Sequence, residues 1–378
     1  MKKLLALVLL FIVVVPTVQA YANSGLLDGR IIILDAGHGA GNSPQAPGGY
    51  LEHERMLYLA NRIRPLLEAH GATVHFTRPT STMVHQGTRA ARINMWALEV
   101  LLHYRERELA YTSDTTRLQS EIFEIERYIT LMRSVANNPD SLAPIYFNIP
   151  FDESRTRVAH PTLRRMMELQ ADPIISTRFL VISLHSNAAS STGVSGADAF
   201  YMSNNDPRSV VYFNNYTNVE LSRYFATTLL RGISNAGIRN RGARSANWLI
   251  TREHNLPAVL VENGYHTNPQ DRALLQSSDF MQRLAQEYVN AIITYFNFVG
   301  PIVDISLPEI EAESAYSVLT LTKQVLSDTE TFANLPETAV FRMQRLLRVV
   351  IFRGLRPPNP LQGDTCGGQT PAAGTHLR

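Results

Sequence analysis

Arg30-Ile31-Ile32-Ile33-Leu34-Asp35-Ala36-Gly37-His38-Gly39 is the stretch on which the fold turns. Its apolar run, Arg30 to Leu34, reads as a buried strand, and the glycine-rich loop that follows runs through Gly49. Moving outward, Met56, Leu59, Ile63, Leu66 and Leu67 recur at helical spacing between Glu52 and His70, and Gly71 marks the stop. Thr73 to Thr77 is a second strand, leading into a helix around Arg89. Further along, Phe179–Leu184, Ala197–Met202 and Ala258–Val261 read as strands, and Val210–Ile233 and Asp271–Phe296 as helices. Strands alternating with helices place the chain in the α/β class. The expected architecture is a single mixed or mostly parallel twisted sheet with helices on both faces.

One stretch breaks the alternation. From about Met95 to Ile175 there is no strand signal, and Ile122, Ile125, Ile129 and Met132 step along one face of an amphipathic helix. That helix reads as one arm of a helical pair between Met95 and Asn137, followed by a Pro-rich loop from Asn138 to Pro161. The result is a helical insertion over residues 95–175. Beyond Gly300, residues 301–356 form a C-terminal extension with a helical region from Ala315 to Phe352. Residues 357–378, rich in Gly, Pro and Thr, read as a disordered tail.

Composition bounds the partners. The 378 residues are 45% hydrophobic and 18% charged, which is enough to build a core. The formal net charge is +2, and Lys2 and Lys3 account for it, so no basic field points to nucleic acid. Those lysines precede an apolar run from Leu4 to Val15 and then the small-residue sequences Val18-Gln19-Ala20 and Ala20-Tyr21-Ala22. Residues 1–22 therefore read as a signal peptide cleaved after Ala20 or Ala22, an uncleaved membrane anchor being the other reading. On the first reading, membrane contact is transient, during export to the periplasm or cell envelope. The sole cysteine, Cys366, lies in the tail, so no internal disulfide framework forms.

Three clusters follow expected strand ends, where α/β sheets place ligands. They are Asp35-Ala36-Gly37-His38-Gly39, Ser183-Leu184-His185-Ser186-Asn187 and Val261-Glu262-Asn263-Gly264-Tyr265, with Glu52 at the start of the first helix. Two imidazoles and a carboxylate make a three-donor set for Zn²⁺ with one position open, and a further carboxylate could serve as general base. Spacing alone leaves each histidine equally readable as a hydrogen-bonded loop or core residue.

The order of the motifs adds more. The chain resembles the zinc-dependent N-acetylmuramoyl-L-alanine amidases of the type 3 family over Arg30–Gln86 and Phe179–Phe296. It shares the Asp35-Ala36-Gly37-His38-Gly39 loop and a Glu at the entry to the first helix. Thr77-Arg78, Arg89 with Asn94, Ser183 to Ala188, and Pro257 to Asp271 follow in the family's order. Glu52 and Glu54 both stand at that helix entry, and matching Leu57 and Gly71 to the family pattern selects Glu52. The resemblance implies a catalytic domain over residues 28–300, one zinc ion held by His38, Glu52 and His185, and Glu262 as the catalytic base. The implied reaction is hydrolysis of the amide between N-acetylmuramic acid and L-alanine of peptidoglycan.

Asp35 is expected either to orient His38 or to cap its loop. Asn187 and Asn263 either contact substrate or satisfy loop backbone, and His254 and His266, flanking the third cluster, either line the cleft or are satisfied residues. The remaining histidines carry no motif. The chain departs from the family in its insertion of about eighty residues, too long for an ordinary loop. That insertion could cap the cleft or receive a protein activator or regulator. The alternative function is a catalytically idle relative that binds wall fragments or a partner protein through the same helices.

Overall fold

The computed structural model describes residues 25–41, 45–109, 111–112, 115–137, 161–202 and 218–304. The expected signal peptide, the loop over 138–160 and the segments beyond Asp304 lie outside these.

Strand β1 (Ile31–Ala36) lies between β4 (Thr73–Phe76) and β5 (Phe179–Asn187), parallel to both. Strand β8 (Ala258–Tyr265) runs parallel along the other side of β5. Beyond it lies β6 (Ala197–Tyr201), antiparallel to β8, and then the edge strand β7 (Asn240–Ser245), parallel to β6. The sheet order is β4-β1-β5-β8-β6-β7, a mixed sheet as expected. A small antiparallel pair, β2 (Gln45–Ala46) and β3 (Tyr50–Leu51), sits in the loop after β1.

One face of the sheet packs against α1 (Glu52–Ala69), α6 (Val219–Ala236) and α9 (Ser278–Val299). Helix α1 stops where the sequence says it should. Gly71 takes a φ of 89°, and the amides of Gly71 and Ala72 close onto Glu68 and Leu67. Helix α9 buries Phe280, Met281, Leu284, Tyr288, Ile292 and Tyr295 along one stripe, so Leu284→Ala should cost about 2–5 kcal/mol.

The opposite face shares its core with α2 (Gln86–Leu109), α3 (Thr115–Asn137), which pairs along α2, α4 (Pro161–Gln170) and the short α7 (Leu249–Arg252), and the short α5 (Pro173–Ser176) leads into β5. Here the structure sharpens the expectation of a helical insertion. Ile125, Met132, Leu163 and Met166 are fully buried in the same core as Ile33 and Val181 of the sheet. The described parts of residues 95–175 are therefore a structural layer. A detachable cap over the cleft would not share the sheet's own core. Arg105 fastens that layer by pairing with Glu121 at 2.6 Å and with Asp172.

Other differences are local. The closing helix expected over Asp271–Phe296 is two helices, α8 (Pro269–Gln276) and α9. The Asn268 side chain caps the first, and the Ser277 hydroxyl accepts the Phe280 amide to start the second. Strand β7 and the β2–β3 pair were not expected. Strands β5 and β8 run three and four residues beyond their expected ends, which matters for the site. Among the described residues, no helix is long and apolar enough to cross a membrane.

Candidate active site

The carboxyl ends of three adjacent strands, β1, β5 and β8, converge with the amino end of α1. His38 follows β1 in a left-handed conformation (φ 57°), a strained setting for a non-glycine residue that turns its ring back toward the sheet. Gly37 before it makes room, because a Cβ there would lie 2.4 Å from the His185 imidazole. Glu52 is the first residue of α1, where the helix dipole favours a carboxylate. Its Oε2 lies 3.2 Å from His38 Nε2 and its Oε1 3.0 Å from His185 Nδ1. The Ser186 amide donates to the same Oε1 at 3.0 Å.

One donor atom from each of His38, Glu52 and His185 lies within 4.8 Å of the others. Ligands of a tetrahedral zinc, each at about 2.0–2.2 Å from the ion, stand about 3.3–3.6 Å apart, so the donor set fits such a metal. Electrostatics agree. Burial works to raise the Glu52 pKa, but the two imidazoles bonded to it bring it down to about 2. Burial favours a neutral His185, yet Glu52 and Glu262 outweigh it and raise its pKa. Glu54, the other candidate at the helix entry, is exposed.

Glu262 belongs to β8 itself and is the register partner of His185 on β5, so both side chains share one face of the sheet. Its Oε2 is buried and has no hydrogen-bond partner among the described residues. Burial pushes its pKa up to about 7, opposed by the charge of His185 and reinforced by that of Glu52. Three motif residues thus come together as one donor set, with a fourth carboxylate beside them, one oxygen of which has no partner among the described residues.

The residues around this centre hold it in place. Asp35 does not touch the His38 ring. It accepts from Ser183 Oγ at 2.6 Å, from Thr77 Oγ1 and from Arg89 Nη1 at 3.0 Å. Arg89 also donates to the carbonyls of Ala36 and His38, so Asp35 reaches the His38 loop only through that guanidinium. Arg78, fully buried, donates to the carbonyls of Ala36, Gly37 and His53 and ties the loop to α1. The Thr77-Arg78 and Arg89 motifs are thereby explained as scaffolding.

Asn263 is fully buried, donating to the His185 carbonyl at 3.1 Å and accepting from Tyr288 at 2.7 Å. Asn187 accepts from the Ala188 amide. Both satisfy backbone or core groups, the second of their two expected roles. His254 is buried on the Ile250 carbonyl and does not line the cleft. His266 is buried too, stacked on Tyr50, and both residues bond the Ser186 hydroxyl (3.0 and 2.8 Å). Tyr50 carried no motif, and Ser186 stood in the second cluster without an expected role. The signal available for them was only their adjacency to Glu52 and His185.

The family model described as N-acetylmuramoyl-L-alanine amidase matches residues 32–104 and 175–294, just over half of the chain. A probable cell wall amidase of Staphylococcus aureus, LytH, is 29% identical over 117 residues. That match covers 31% of this chain and 35% of LytH, so it spans about a third of the relative's length. The catalytic domain of CwlV, an N-acetylmuramoyl-L-alanine amidase from Bacillus (Paenibacillus) polymyxa var. colistinus, is 18% identical with a TM-score of 0.41, covering 71% of this chain and 98% of that one. An N-acetylmuramoyl-L-alanine amidase from Clostridium difficile 630 is 16% identical with a TM-score of 0.42, covering 71% and 97%.

Proposed function

This chain belongs to the N-acetylmuramoyl-L-alanine amidase family, and on that premise we propose that it is an exported zinc hydrolase that cleaves the amide between N-acetylmuramic acid and L-alanine of peptidoglycan. The observation that carries the reading is the convergence of His38, Glu52 and His185, with Glu262 in register beside His185. Zinc held by those three residues would act as a Lewis acid, polarising the amide carbonyl and acidifying a neighbouring water.

In the proposed reaction Glu262 accepts a proton from the attacking water and returns it to the nitrogen as the C–N bond breaks. The lactyl carboxylate stays on the sugar, and the peptide leaves with a free N-terminal alanine. A carboxyl group near neutrality is suited to taking and giving a proton in one cycle. Arg89 and Arg78 contribute by fixing the backbone that carries His38. Asn263 and Ser186 contribute by fixing His185 and Glu52.

A protein regulator acting through residues 95–175 remains part of the proposal with one constraint. The inward faces of α2, α3 and α4 are buried in one core, α3 lying along α2, so a partner must read their outward faces, where Phe123 is exposed. The test is digestion of purified peptidoglycan by the zinc-loaded protein, with released products identified by mass. Free stem peptides beginning with alanine, and uncut glycan, are expected. Wall binding without any release would favour the idle relative instead.

A further inference from the structure

The sheet edge beyond Glu262 carries charge that the proposed chemistry does not use. Asp198 on β6 stands directly opposite Glu262 in the antiparallel pair, so the two carboxylates share a face. Asp198 is almost wholly buried. It accepts from Arg241 Nε at 3.0 Å, from Arg244 and from the Tyr265 hydroxyl at 3.2 Å. Both arginines come from the edge strand β7, and Arg239 precedes it, exposed. Asp271 on α8 accepts the amides of Gly196 and Tyr265 at its Oδ2 and forms no ion pair among the described residues. One carboxylate thus anchors two guanidiniums, leaving a surplus positive charge.

The surplus resides on Arg244. Its side chain is 50% exposed against 25% for Arg241, whose Nη1 also bonds the Ser195 carbonyl. An anchored guanidinium with free donors is a fork for a carboxylate. Its reach is suitable. The pairing to Asp198 brings Arg244 back to the strand beside β8, about 5 Å from Glu262's own strand. Successive Cα atoms of a bound peptide lie about 3.8 Å apart, so a group one residue past the leaving alanine falls within range.

We propose that Arg244, steadied by Asp198 and Arg241, binds a carboxylate of the leaving peptide at the residue after alanine. The proposal rests on the amidase reading above. It makes Arg244 a specificity-determining residue that separates stems with a free α-carboxylate at that position from stems in which it is amidated.

The test uses two soluble muropeptides that differ only by carboxylate or carboxamide at that residue, cleaved by the zinc-loaded protein and its variants. The native protein should favour the carboxylate form by about fivefold to tenfold in kcat/KM, through KM. Arg244→Ala should raise KM for that form alone and erase the preference with kcat little changed, and Arg244→Lys should restore part of it. Equal handling of both substrates by the native protein overturns the proposal. So does an Arg244→Ala loss that is the same on both, which is what a purely structural role gives. Cleavage of neither substrate by the native protein would instead remove the amidase reading on which the proposal stands.

Discussion

The ends of β1 and β8 lie on either side of β5 and each carries a buried carboxylate, yet the two are treated in opposite ways. Asp35 at the end of β1 is enclosed by donors: Thr77, Ser183 and Arg89. Burial alone would raise its pKa, but the Arg89 guanidinium and the two hydroxyls hold it below the usual carboxylate range. Glu262 on β8 has a buried oxygen with no partner among the described residues, and burial pushes it up to about 7. A buried carboxylate surrounded by donors is a structural post, while one with a buried oxygen left unpartnered keeps a proton within reach at neutral pH. The same sheet edge makes both, through what the neighbouring strands and helices place beside each.

The strongest way to break this contrast is to remove the satisfied carboxylate. Asp35→Ala strands the Arg89 charge in a buried site and should cost about 3–5 kcal/mol of folding stability, seen in denaturant titrations. A loss within the scatter of surface substitutions would mean that Asp35 is not the post described.

Next in size is the dependence on pH, where the two groups have opposite signs. Glu262 is raised when folded, so its contribution is fully present below about 4.5 and is lost as pH climbs toward 7. The metal-stripped protein should therefore lose roughly 1–3 kcal/mol relative to Glu262→Gln across that window. Asp35 is depressed, so its contribution holds above its ordinary value near 3.8 and disappears only as pH falls below it. Thermal melts of the two proteins over that range would show the slope, and parallel curves would deny Glu262 its raised value.

Smallest is Ser183→Ala. Removing one of three donors to Asp35 should cost about 1–2 kcal/mol and leave the bound metal in place, checked by melting and by metal content.

Much of this architecture could be read from residues, and the parts that could not have specific causes. The apolar run of β1, the stripe of α1 and its stop at Gly71 are local signals, and the structure repeats them. The sites at His38, Glu52 and His185 were legible through ordered motifs, but their meeting in space was not, because no spacing encodes the convergence of two strand ends with a helix start. Strands β5 and β8 looked shorter than they are. His185, Ser186, Asn187, Glu262 and Asn263 resemble loop residues, so the register that pairs His185 with Glu262 was hidden. Strand β7 escaped notice because an edge strand needs no apolar face. Its Arg241 and Arg244 answer to Asp198 instead. The break at Ser277 lies in the polar run Gln276-Ser277-Ser278-Asp279, where the Ser277 hydroxyl caps the second helix. The stripe along α3 announced burial without saying that α2, itself part of the sheet's core, and not a cleft, lies under it.

The most direct test of the account is a paired measurement on Glu262→Gln: bound zinc by elemental analysis, and release of alanine-terminated peptides from peptidoglycan. The account predicts native metal content, unchanged or higher thermal stability of the metal-free protein at neutral pH, and a fall in cleavage of about 10²–10⁴-fold. Near-native cleavage by this variant would contradict it, since the unpartnered carboxylate on β8 would then have no part in the chemistry.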